Sequence, residues 1–291
     1  MLLALVLSTV TAFASDHPAP ASKTGGWEAF ASMQTGNMRF YEGHQKHPHQ
    51  DIPRREEVAG GQKPHTIVIS CSDSRVPPEE IFDQGLGDVF TVRNAGNVMS
   101  AESIASAEYA IEHLGARFLV VMGHESCGAV GAAISAVPGQ SVGSPSLDTL
   151  ISRVNVSAAA KAAAAADKTF RQGVKENVNA QLAELVKKSA IVREAVASKG
   201  LVLGQAIYSL KSGRVEFWDV GKSAGGVEIA PAPEKVKIEE PEVKEEVIQP
   251  DPAPQKVKKA PAAKKATVPK TTPKPTPEAA AHGDDHGAAH H

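Results

Sequence analysis

Two short apolar runs each break off in a cluster of reactive side chains, and this pairing limits the possible folds more than any other feature. His65 to Ser70 leads into Cys71-Ser72-Asp73-Ser74-Arg75, and Phe118 to Gly123 leads into His124-Glu125-Ser126-Cys127. Apolar runs of this length with β-branched residues read as buried parallel strands. Val89 to Val92 and Leu201 to Ser209 have the same character, while Ala101 to Leu114 and Val178 to Ser198 carry helical spacing. Alternation of strand and helix signals predicts an α/β domain, a parallel β-sheet core with flanking helices. Val215 to Val220, after the turn at Lys211-Ser212-Gly213-Arg214, is predicted to be an antiparallel edge strand. Gly26 to Gln50 reads as an N-terminal helical arm with apolar positions at Trp27, Phe30, Met33, Met38, Phe40 and Tyr41. Alanine-rich Ala158 to Ala166 is expected as a solvent-facing helix.

Both motifs fall at predicted strand C-termini, where open α/β sheets place their sites. Cys71, Asp73, His124 and Cys127 supply two thiols, a carboxylate and an imidazole, a complete shell for tetrahedral zinc. Residues two apart in extended chain share a side, so Cys71 and Asp73 converge if that geometry persists. Gly128 to Ala136 is small and helix-compatible, which puts Cys127 at a helix N-terminus, where the dipole favours thiolate. The fourth zinc position then has two readings. Either Asp73 closes the shell, or Arg75 holds Asp73 by paired charge-assisted bonds and water occupies the position. Zinc lowers the pKa of such a water to about 7, and Asp73 would orient the resulting hydroxide. A purely structural Asp73, neutralised by Arg75, is the competing reading, as is a Cys71–Cys127 disulfide.

Together, Cys71-Ser72-Asp73-Ser74-Arg75, Asp88-Val89-Phe90-Thr91-Val92-Arg93-Asn94-Ala95-Gly96-Asn97 and Gly123-His124-Glu125-Ser126-Cys127-Gly128 resemble the β-class carbonic anhydrases. The likeness spans roughly Gly26 to Val220. It implies one zinc ion per subunit on Cys71, His124 and Cys127, with Asp73 as a ligand in a closed state only, and an Asp73–Arg75 catalytic dyad. It also implies reversible hydration of carbon dioxide to bicarbonate and a proton. The family's homodimers and higher homo-oligomers imply that the N-terminal arm wraps a partner. Tyr109 matches a pocket tyrosine of the plant-type branch, with a core aromatic as its other reading. Gln84, one position from a gap-free match to a pocket glutamine, is a candidate donor or a packing residue. Gly128 and Ser72 are candidates to position backbone groups. No tryptophan occurs in Pro64 to Ser70, unlike the bicarbonate-inhibited branch.

Other signals carry less. Ser126 is out of step with a serine-hydrolase elbow, and Gly85-Leu86-Gly87 does not meet the dinucleotide fingerprint. His113 reads as a surface or capping residue. His44, His47 and His49 read either as a solvated arm or as a metal-binding or proton-shuttling group. A formal net charge of −2 gives no electrostatic case for nucleic acid. Mostly apolar Met1 to Phe13, with Ala12-Phe13-Ala14, predicts a signal peptide cleaved after Ala14 and a periplasmic or otherwise exported protein. An N-terminal membrane anchor is the alternative, although the stretch is short for a stable span.

The expected organisation is a signal peptide over 1–14, a catalytic domain over 15–222 and a tail over 223–291. Eleven of the twenty prolines lie between Pro231 and Pro277, and aromatic residues stop before the tail begins. Such a segment cannot bury enough apolar surface to order itself, so disorder is predicted there. Its end carries His282, His286, His290 and His291 beside Asp284 and Asp285, a loose metal-binding tract. Two other functions stay open at this level: hydrolysis of carbon disulfide or carbonyl sulfide on the same scaffold, and a non-catalytic zinc-binding envelope protein.

Overall fold

The computed structural model describes residues 24–222, so the predicted signal peptide and tail lie outside the described residues. Along the chain run α1 (Gly26–Glu42), α2 (Ile52–Val58), β1 (Thr66–Ser70), α3 (Pro78–Ile81), β2 (Val89–Arg93), a 3₁₀ turn (Ala95–Asn97), α4 (Ala101–Glu112) and β3 (Phe118–His124). There follow α5 (Gly128–Ser135), α6 (Pro145–Ile151), α7 (Ala158–Ala163), α8 (Arg171–Lys188), α9 (Ala190–Ser198), β4 (Val202–Tyr208) and β5 (Val215–Trp218). The strands form one sheet in the order β2-β1-β3-β4-β5, parallel except for β5, which pairs antiparallel with β4. This is the predicted α/β architecture, with an N-terminal helix and an antiparallel edge strand.

The central strands are buried at every position of β1 and β3, as expected where helices cover both faces. Alternation divides their side chains between two cores. Ile67, Ile69, Leu119, Val121, Leu203 and Ile207 join the cluster with residues of α4, α8 and α9. Val68, Phe118, Val120, Met122, Val202 and Ala206 face the other way, with Ala29 and Met33 of α1. Register places the motifs side by side, because Ser70 pairs with both Arg93 and Met122. Cys71 thus leaves the sheet next to the strand end that carries His124, one strand spacing of about 4.8 Å away.

Several boundaries differ from the sequence expectation. The arm helix stops at Glu42 because Gly43 turns left-handed at φ 74 and caps it. The chain from Lys46 to His49 is then anchored, with the Lys46 and His47 amides donating to Asp83 and His49 Nδ1 bonded to Asp88 at 2.7 Å. The backbone there is held in place, while the His44, His47 and His49 residues are exposed to solvent. A separate helix, α2, follows, begun by Asp51 accepting the Arg54 N–H. Val178 to Ser198 is two helices, broken at extended Ser189, whose side chain accepts the Val192 N–H and starts α9. Helix α7 is not wholly solvent-facing, since Ala160 is buried. Among the described residues no helix is long and apolar enough to cross a membrane.

Candidate metal centre

The first motif is folded by its own side chains. Asp73 Oδ1 accepts the Arg75 N–H at 2.9 Å, and the Asp73 carbonyl accepts the Val76 N–H at 3.0 Å, closing a turn just beyond β1. Arg75 then returns to the same carboxylate, Nε to Oδ1 at 2.9 Å and Nη2 to Oδ2 at 2.7 Å. This two-pronged contact gives the carboxylate one orientation. From the end of β2, Arg93 donates to the Cys71 carbonyl at 3.0 Å and to the Asp73 carbonyl at 2.6 Å.

Backbone bonds fold the second motif. His124 is the last residue of β3, and the Glu125 N–H donates to the Tyr208 carbonyl at 3.0 Å. The Ser126 N–H donates to the Thr169 carbonyl at 2.7 Å, and Ser126 itself is left-handed at φ 56. That turn brings Cys127 to the N-cap of α5, as the small-residue run beyond it predicts. Outside the turn, Arg171 ties the Glu125 carboxylate at 2.9 Å.

These elements bring Cys71, His124 and Cys127 together, all buried, with their ligand atoms within 4.8 Å of one another. Among the described residues this is the one group of three or more metal-ligating side chains so gathered. His124 Nδ1 bonds the Glu125 carbonyl at 2.9 Å, which assigns the proton to Nδ1 and leaves Nε2 bare. Nε2 is buried without a hydrogen-bond partner, an unusual state for a polar atom in a core. A tetrahedral zinc with bonds of about 2.0–2.3 Å spaces its ligands roughly 3.5 Å apart, so donor set and spacing fit that ion. Asp73 is outside the group, its Oδ2 lying 3.8 Å from His124 Nε2 while both oxygens engage Arg75.

The electrostatics favour anions on this side of the sheet. Arg75 holds the Asp73 carboxyl well below the usual carboxylate range, outweighing burial. The neighbouring Cys127 thiol, with His124 and the Gly96 amide, pulls the Cys71 thiol down against burial. The same contact, together with burial, pushes Cys127 up.

The pocket candidates fare unevenly. Tyr109 is half exposed on α4, its ring against Phe90 and His113, so it is no core aromatic. His113 caps the C-terminus of that helix, as its position predicted. Gly128 opens α5 beside Cys127, and a Cβ there would meet nothing within 4 Å. Gln84 is engaged within its own fold. Its amide donates to the Phe82 carbonyl at 2.9 Å and its oxygen meets His65 Nε2 at 3.2 Å, in a buried position beside Gly36 of α1. Packing is the reading that geometry favours for Gln84. Two contacts to the first motif escaped the residue-level reading: Arg93, signalled by a charge closing an apolar strand, and Gly96, whose N–H reaches Cys71 Sγ at 3.3 Å.

Comparison with known proteins agrees with this centre. A carbonic anhydrase family model matches residues 66–215. The chain is 36% identical over 193 residues to carbonic anhydrase 2 of Mycobacterium tuberculosis, covering 66% of this chain and 92% of that protein. It is 37% identical over 191 residues to a carbonic anhydrase of Mycolicibacterium smegmatis, with 65% and 91% covered. Among solved structures, the β-carbonic anhydrase CafA of Aspergillus fumigatus aligns with a TM-score of 0.50 at 30% identity, covering 65% of this chain and 90% of that one.

Proposed function

We propose that this chain, which belongs to the β-class carbonic anhydrase family, hydrates carbon dioxide at the Cys71–His124–Cys127 centre with Asp73 and Arg75 orienting the reacting groups. One observation carries the reading. A carboxylate locked by Arg75 stands 3.8 Å from the bare nitrogen of a buried three-ligand cluster, close enough to act on whatever that cluster binds.

Cys71, His124 and Cys127 would hold the zinc ion. When bound, zinc supplies hydroxide near neutral pH, because it lowers the pKa of a coordinated water to about 7. The chain's own residues do the rest. Asp73, kept ionised by Arg75, can accept only, so any O–H reaching it is turned with its lone pair away from Asp73 and toward the substrate. Arg75 fixes that carboxylate and, being largely exposed, also presents positive charge where bicarbonate leaves. Glu125 holds the His124 ring through its carbonyl and so keeps Nε2 directed at the metal position.

The test is stopped-flow carbon dioxide hydration on Asp73→Asn and Arg75→Ala, each with its zinc content. Both are expected to keep about one zinc per subunit while losing roughly 10²–10³ in rate, the scale of a lost orienting group. Near-normal rates in both variants would overturn the assigned dyad.

Two wider readings accompany this one. Met1 to Phe13 with Ala12-Phe13-Ala14 supports an export signal cleaved after Ala14, and the N-terminal residue of mature protein tests it. Homo-oligomerisation is supported by β2, a half-exposed apolar strand at the sheet edge, with exposed Tyr109 beside its Phe90. Light scattering reads that state directly.

A further inference from the structure

A buried chain of amide groups runs from α8 to the sulfur of Cys71. Gly96 donates its N–H to Cys71 Sγ at 3.3 Å, and its own carbonyl accepts Asn177 Nδ2 at 2.8 Å. Asn177 is fully buried on α8, and its orientation is dictated by its other partners. Oδ1 accepts the Asn155 N–H at 3.0 Å and Gln181 Nε2 at 3.0 Å, so Nδ2 must be the end that faces Gly96. Gln181, one turn on and also buried, spends its remaining capacity elsewhere, accepting the Met99 N–H and donating to the Arg153 carbonyl.

The geometry at Gly96 makes this anchor consequential. Gly96 is left-handed at φ 64, and a Cβ there would lie 2.9 Å from Ala129 Cβ. The glycine is therefore needed for conformation and for space, but it also leaves the backbone soft. A soft turn holds an N–H on a sulfur only if something outside it fixes the peptide.

We propose that Asn177 is a positioning residue for the metal centre, fixing the Gly96 turn so that its N–H stays bonded to Cys71 Sγ. An N–H donated to a thiolate stabilises the ionised sulfur against protonation and restrains the rotation of the ligand side chain, which makes the metal harder to release, while the lower electron density on sulfur sets the energy of its charge-transfer band. The inference rests on the metal-holding part of the function proposed above and is independent of the Asp73–Arg75 dyad.

The experiment uses full-length protein loaded with Co²⁺, whose thiolate-to-metal charge-transfer band reports the sulfur directly. Asn177→Leu, close in size, is expected to move that band to longer wavelength and to speed Co²⁺ release to a chelator by about 10–100-fold, the usual cost of losing a partner of a metal ligand. Leu185→Ala serves as the comparison. Leu185 is buried on the same helix and its side chain has no polar atom to bond Asn177 or Gly96, so the variant's thermal midpoint falls while the band should stay where it is in the unaltered protein. An unmoved band in Asn177→Leu, or an equal displacement in Leu185→Ala, would overturn the proposal. If Asn177→Leu does not fold, Asn177→Ser, whose hydroxyl is too short to reach the Gly96 carbonyl, is read the same way. Failure of unaltered protein to take up Co²⁺ overturns the metal-holding reading as well. Loss of hydration activity with normal Co²⁺ spectra would strike the dyad alone.

Discussion

The two loops that meet at the centre are built in opposite ways. The loop from Cys71 to Val76 is shaped by side chains, with Asp73 and Arg75 clasping each other and Arg93 reaching in from β2. The loop from His124 to Cys127 is shaped mainly by its own amides, donated to Tyr208 and Thr169. Exposure follows the same division. Arg75 is 57% exposed and Asp73 19%, whereas the His124 side chain is fully buried. A backbone-held loop keeps its ligands whatever the surface residues do. A loop held by side chains leaves the Asp73 carboxylate only partly covered, 3.8 Å from His124 Nε2.

Removing a ligand from the rigid loop should have the largest effect. His124→Ala or Cys127→Ala is expected to bring zinc content to near zero and hydration to background, since three protein ligands are the least a catalytic zinc site uses. Elemental analysis beside stopped-flow rates checks this, and retained stoichiometric zinc would break the assignment of that loop as the metal holder.

Next comes the arm that holds the exposed loop. Arg93→Met removes donors from two carbonyls at once. Hydration should fall by about tenfold with zinc retained, as expected when a group supporting a ligand is lost. Arg171→Met cuts the side-chain tie of the other loop but leaves its amide bonds, and the ion pair is partly exposed. Metal affinity should change by less than about fivefold, because exposed ion pairs contribute about 0–1 kcal/mol. If Arg171→Met proves the more damaging of the two, the contrast between the loops is wrong.

Asp83 supplies a baseline away from both loops, with the smallest effect on the centre. Burial alone would raise its carboxyl, but the Lys46 and His47 amides and the Arg39 guanidinium outweigh burial and hold it below the usual range. A carboxyl depressed in the folded state adds stability above its unfolded value near 4, and this is lost as pH falls through the lower folded value. Asp83→Asn should therefore cost about 1–3 kcal/mol near neutral pH and progressively less in acid, with zinc content unchanged. Denaturant titrations at several pH values measure that slope.

Much of this was legible because it is local. Apolar β-branched runs in Thr66 to Ser70 and Phe118 to Met122 read as central strands, and Cys127 before a run of small residues reads as a helix start, and both are found. Breaks set by single residues were harder to see. Ser189 interrupts an apolar pattern that continues across it, so the pattern alone reads as one helix rather than α8 and α9. Gln84 shows the limit of spacing. Its near match to a pocket glutamine left donor and packing readings open, and its hydrogen bonds to Phe82 and His65 in a buried position favour packing.

The sequence by itself determined the strand identities, the ligand chemistry and the presence of an arginine two residues from an aspartate, because each depends on neighbours within a few positions. Only the tertiary structure decided how those ligands are held. Arg93 reaches across from an adjacent strand, Thr169 from the loop before α8, and Asn177 from 81 residues beyond Gly96. Such contacts arise from sheet register and helix packing, which place distant residues within 3 Å of one another and leave no trace in local spacing.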